Sequence, residues 1–233
     1  MQLIILGLAL VNLLWGASAL VDPSIAREPT LPHPLLLFAA HTLSGSAMFF
    51  QKLRPYALLS TAALTAFYVL RVKPFEPLAE PQTVGILGIT LSQLLPHIVK
   101  AVHQPKLDNF VEDFLLRVGI AYPLFEWGLD AYRNPLHFIS YIRGNILARA
   151  VAAPLGIENT VFLIFVVEVS LSLLLVSGLG RKAVGLSTAA LLTLFSVVAA
   201  YPLALPQNIA LTAAAITYAR RTSQFIRLNF RSV

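Results

Sequence analysis

Cysteine is absent from the 233 residues. That excludes disulfides, thiolate-bound metals, iron–sulfur ligation and a CxxC redox couple carried by this chain. Charge is scarce as well: Lys, Arg, Asp and Glu make up 12% of the residues, about half the share of an ordinary soluble domain. So few polar side chains cannot form the outer shell of a soluble protein this size. A soluble enzyme, a nucleic-acid reader and a disordered tail protein are thereby excluded. No P-loop, dinucleotide-binding glycine turn, HExxH, nucleophile elbow or EF-hand loop is present, so no metal site is expected.

What fills the chain is apolar: 57% of the residues, with a mean hydropathy of +0.75. This composition reads as an all-α, polytopic membrane protein. A spanning helix needs roughly 20 apolar residues, and eight runs qualify: 2–20, 34–51, 56–72, 83–100, 111–131, 159–179, 183–202 and 205–219. Pro96 and Pro123 fall inside runs and predict kinks. The first run ends in Ala17-Ser18-Ala19, a small-x-small cleavage pattern, but no Lys or Arg precedes its core. It therefore reads as a retained span.

The formal charge is +6 and the pI about 9.8. The basic residues sit between apolar runs, where they set topology and meet lipid headgroups. With the N-terminus on one side, that side collects Lys52, Arg54, Lys100, Lys106, Arg181, Lys182, Arg220, Arg221, Arg227 and Arg231. The other collects Arg27, Arg71, Lys73, Arg133, Arg143 and Arg149. This bias, with an even number of spans, predicts a multi-pass plasma-membrane protein with both termini in the cytoplasm.

The chain also repeats itself. At a shift of 112, Leu3, Gly7, Ala9, Trp15, Gly16, Ala19 and Pro23 meet Leu115, Gly119, Ala121, Trp127, Gly128, Ala131 and Pro135. At a shift of 127, Leu59-Ser-Thr-Ala-Ala-Leu64 recurs as Leu186-Ser-Thr-Ala-Ala-Leu191; near the last run of each half, Pro81-Gln82 meets Pro206-Gln207. The expectation is two fused, parallel four-helix bundles, 1–104 and 110–222, followed by a basic tail at 223–233. The second unit carries an insertion, 132–158. There apolar residues at helical spacing alternate with His137, Arg143 and Arg149, predicting an amphipathic helix in the outer interface, either a cap over the second bundle or a docking or ligand-gating element.

Ionisable residues inside spans are costly and mark sites by default. Arg117, Glu126 and Asp130 stand in the fifth run and Glu168 in the sixth, with Ser172 one turn beyond. His41 occupies the position equivalent to Glu168 at the shift of 127. These residues are candidates for a polar headgroup site or proton path. An internal network fixing helix register is the competing reading. His41 and His97 lie about 10 Å apart in depth at 1.5 Å per residue, which argues against bis-histidine haem.

The run Leu115-Leu-Arg-Val-Gly119, then Phe125-Glu-Trp-Gly-Leu-Asp130 and Asn134-Pro135, resembles the opening helix of the DoxX/DoxD-like membrane protein family. Glu168 and Gly178-Leu-Gly180-Arg181 resemble its second helix. The resemblance covers about 110 residues of the second unit, and the family's usual lysine after the glycine motif is missing here. It implies an integral membrane subunit of a quinone-linked oxidoreductase or respiratory complex, with a quinone as possible ligand and other membrane or peripheral subunits as partners. Under it, Arg117, Glu126, Asp130 and Glu168 would line one pocket in the second unit. A lipid-binding assembly scaffold and a small-solute carrier are the alternatives.

Overall fold

The computed structural model describes residues 2–21, 31–71, 81–99, 105–199 and 205–221. The expected tail at 223–233, with Arg227 and Arg231, lies outside the described residues, as do Arg27, Lys73, Lys100 and His103. Among the described residues there are ten helices and no strand. They are α1 (Gln2–Val21), α2 (Pro34–Ala47), α3 (Arg54–Arg71), α4 (Pro81–Val99), α5 (Pro105–Arg133), α6 (Pro135–Gly144), α7 (Ile146–Ala152), α8 (Ile157–Ser177), α9 (Arg181–Ala199) and α10 (Leu205–Arg220).

Four of them, α1, α4, α8 and α9, are long and apolar enough to cross a membrane. The side chains are distributed as lipid requires. The α8 helix exposes Phe162, Leu163, Val166 and Leu173, while Glu168 and Ser172 are buried. Asn12, Thr61, Thr65, Gln93 and Thr188 are likewise buried. An outside this apolar around a polar-dotted interior suits a hydrocarbon solvent, and water would not tolerate it.

Three sequence expectations are corrected. The second run stops at Ala47 rather than 51. Ser44 and Ser46 favour turns over helix interiors, and the Ser44 hydroxyl bonds Ala40 O at 2.8 Å and Ser60 Oγ at 2.7 Å. The stretch 105–109, expected to connect the units, opens α5 instead, with Pro105 at its first position, where a missing amide donor costs nothing. The insertion is two helices, not one. Asn145 adopts an extended backbone (φ −112°, ψ 121°) and its Oδ1 accepts from Leu147 N and Ala148 N, so α6 ends and α7 starts there.

Helix neighbours follow a simple order. The α1 helix packs on α2 and α10, α5 packs on α4 and α8, and α9 packs chiefly on α10 and only thinly on α8. Glycines set the closest approaches. A Cβ on Gly7 would stand 2.8 Å from Ala213 Cβ of α10, and one on Gly119 2.8 Å from Gly85 O of α4. A Cβ on Gly16 would meet His41 Cβ of α2 at 3.4 Å, and one on Gly128 would meet Glu168 Cβ of α8 at 3.1 Å. Small residues of this kind let membrane helices pack backbone to backbone.

Candidate functional site

Where α8 and α9 part, a cleft of about 290 Å³ opens under α6 and α7. Its walls are apolar and aromatic: Trp127 from α5, Phe138, Tyr141 and Ile142 from α6, Ala148 and Val151 from α7, Ile164 from α8, and Leu194, Phe195 and Val198 from α9. Thr160, Ile164 and Glu168 follow one stripe down α8. Glu168 is eleven residues into that helix, about 16 Å at 1.5 Å per residue, which is half the thickness of a bilayer core.

Three polar side chains converge on this cleft from three helices: Gln82 at the start of α4, Glu168 in α8 and Asn208 at the start of α10. All three are buried, at 6%, 2% and 2% exposure. Among the described residues, Gln82 Oε1, Glu168 Oε2 and Asn208 Oδ1 find no hydrogen-bond partner. Burying an acceptor unmet costs about 1–3 kcal/mol. Three of them in one largely apolar cleft have the layout of a ligand site, where a few polar groups orient a mostly apolar guest.

The outer wall is strapped in place. Tyr141 donates to Val198 O at 3.2 Å, and Asn145 Nδ2 donates to the same carbonyl at 2.8 Å. Partial burial holds the Tyr141 phenol above its ordinary pKa, against the downward pull of Asn145, so it remains a donor at neutral pH. At the mouth, His137 Nδ1 lies 2.9 Å from Asp130 Oδ2, and Asn134 Nδ2 donates to Asp130 Oδ1 at 2.7 Å.

The pocket expected from the sequence therefore forms only in part. Glu168 and His137 line the cleft; Arg117, Glu126, Asp130 and Ser172 do not. Asp130 sits behind His137 at the rim. Glu126 is two residues, hence about 200° of helix rotation, from Gly128, the residue that abuts Glu168. Ser172 is buried one turn below Glu168. Arg143 and Arg149 are exposed on α6 and α7.

Arg117 belongs to a separate cluster at the opposite end. Its Nη1 donates to Val176 O at 2.7 Å and its Nε pairs with Asp113 Oδ2 at 3.1 Å. Arg181 donates to the same Asp113 oxygen at 2.7 Å and lies over the Tyr218 ring, 4.7 Å from its centroid. Arg221 pairs with Glu112. Gly178 completes the cluster: its φ of +75° caps α8, and a Cβ there would stand 2.9 Å from Arg117 Nη1.

His41 stands in a closed network in the first half. Asn12 Nδ2 donates to Leu8 O at 2.8 Å and Thr61 Oγ1 at 3.1 Å. That leaves Asn12 Oδ1 as acceptor for His41 Nδ1–H at 2.9 Å, so His41 Nε2 accepts from the Tyr68 hydroxyl. Trp15 packs edge-on against both rings, with centroids 5.5 and 6.0 Å away. Each ring nitrogen of His41 thus has a partner from within the chain.

Sequence reasoning misses Gln82, Asn208 and Phe195. The available signal is the recurring Pro-Gln pair, which reads as a repeat marker only. The chain matches no family model, no curated protein and no solved structure.

Proposed function

We propose that this chain is an integral membrane subunit of a quinone-linked oxidoreductase, and that the cleft beside Glu168 receives the quinone headgroup. One observation carries the reading: three buried acceptors, unmet among the described residues, share an apolar, aromatic-walled cleft. Aromatic side chains suit a flat ring, and 290 Å³ is at the lower end of the range for small-molecule pockets. The resemblance to the DoxX/DoxD-like family points the same way.

In this reading the eight longer helices all span the bilayer, as two like-oriented quartets with both termini in the cytoplasm. The paired glycine contacts support it. Gly7 and Gly119, equivalent in the repeat, each meet the last helix of the other quartet. Gly16 and Gly128 meet residues 41 and 168, again equivalent. The His137–Asp130 pair stands at the mouth of the cleft and Glu168 within it.

The test uses the chain's own fluorophores. With Trp15→Phe, Trp127 in the cleft wall is the remaining tryptophan. A short-chain benzoquinone added to the purified protein in lipid nanodiscs should quench it saturably, and Ile164→Phe, which fills the cleft, should abolish saturation. Quenching that stays linear, or is indifferent to Ile164→Phe, refutes the site. Glu168→Gln in the parent complex should slow quinone turnover, whereas an unchanged rate favours the scaffold reading.

A further inference from the structure

We propose that the cleft selects a phenolic head, and so prefers the reduced, hydroquinone form of its ligand over the quinone. The inference rests on the quinone-site reading and specifies which redox form the site holds.

The two halves differ at equivalent positions. At the shift of 127, His41 corresponds to Glu168 and Tyr68 to Phe195; at the shift of 112, Asn12 corresponds to Leu124 and Trp15 to Trp127. In the first half, residue 41 is satisfied from inside the protein by the Asn12 amide and the Tyr68 phenol. In the second half both partners have become apolar. Leu124 is buried and offers no hydrogen bond, and Phe195 has the ring without the hydroxyl. Glu168 Oε2 is left unmet. Phe195 and Trp127 both line the cleft that opens there.

The missing group is thus defined by the half that retains it: an aromatic hydroxyl that donates to residue 168. Gln82 Oε1 and Asn208 Oδ1 add two more unmet acceptors on the same cleft. A hydroquinone carries two O–H donors on one ring and satisfies two of these three oxygens. A quinone carries only carbonyl acceptors there, which the Gln82 and Asn208 oxygens cannot meet; the Glu168 carboxyl meets one only when it holds a proton. Glu168 in this scheme accepts a hydrogen bond; no electron transfer is invoked.

Three probes of nearly the same shape separate the outcomes: a short-chain benzoquinone, its hydroquinone, and the hydroquinone dimethyl ether, which lacks both donors. Affinities are read by calorimetry on the full chain in nanodiscs, under argon for the hydroquinone. The hydroquinone should bind at least about tenfold tighter than either other probe, the ratio one or two net hydrogen bonds supply. Phe195→Tyr should restore the internal hydroxyl, raise thermal stability and weaken hydroquinone binding about tenfold or more; Phe195→Leu should not raise stability. Equal affinity for all three probes, or wild-type binding by a folded Phe195→Tyr protein, overturns the inference and leaves the quinone-site reading standing. Failure of all three probes to bind refutes that reading itself.

Discussion

Gly119→Ala is the most direct perturbation of the helix packing. A Cβ at 119 would lie 2.8 Å from Gly85 O and 2.9 Å from Ile89 N. Both are backbone atoms of α4 and cannot rotate aside. Reaching the 3.4 Å of an ordinary contact requires α4 and α5 to separate by about 0.6 Å along a seam that also holds Gly85 and Gly88. Overpacking of this sort costs about 1–3 kcal/mol. Alanine's better helix propensity returns about 1 kcal/mol. The net expectation is a loss of up to roughly 2 kcal/mol, or a melting point lower by up to roughly 8 °C for a chain this long. Gly144→Ala is the control, since nothing lies within 4 Å of its Cβ; it should leave stability unchanged or slightly raised. Gly7→Ala, facing Ala213 Cβ at 2.8 Å and Ala210 Cα at 3.1 Å, should lose about as much as Gly119→Ala. Thermal melts in detergent, followed by monodisperse fraction, give the numbers. If Gly119→Ala melts with Gly144→Ala, the two backbones do not touch and this packing of α4 on α5 is wrong. If Gly119→Ala melts early and Gly7→Ala does not, the proposed pairing of two like quartets fails.

Other perturbations follow from single contacts. Asp113→Asn weakens the carboxylate shared by Arg117 and Arg181; both guanidiniums are largely buried, so a loss of roughly 1–3 kcal/mol is expected, with a smaller difference at high salt, in the same melts. Asn145→Ala removes the cap of α7 and a bond to Val198 O; about 1–2 kcal/mol of local stability should go, seen as faster amide exchange in 146–152 with α1 unaffected. Because the chain lacks cysteine, single cysteines report topology cleanly. Lys182→Cys should label from the cytoplasmic side of intact cells' membranes and Arg149→Cys from the other, and labelling of both from one side contradicts the eight-span arrangement.

Much of the helical layout is legible in the sequence. Long apolar runs favour helices, so the centres of the eight longer helices fall where hydropathy places them, and their ends shift by a few residues at Ser44 and Pro105. Glu168 is legible because a carboxylate among apolar residues stands out. Gln82 and Asn208 are not, because uncharged amides beside or near prolines at helix starts look like ordinary boundary residues. The resemblance puts Arg117 in one pocket with Glu168, and the structure puts it elsewhere. Its depth along α5 follows from the count, but its partners, Asp113 one turn away and Val176 O fifty-nine residues on, depend on which way the helix face turns.

Composition alone was enough for an all-helical protein with helices apolar enough to cross a membrane, since the solvent acts on the chain locally. The contrast between the halves required three dimensions. Asn12, His41 and Tyr68 close on one another, whereas Leu124, Glu168 and Phe195 leave an open cleft with an unmet carboxyl oxygen. Each residue's type is written in the chain, but whether a buried polar atom is satisfied depends on what distant helices bring within about 3 Å of it.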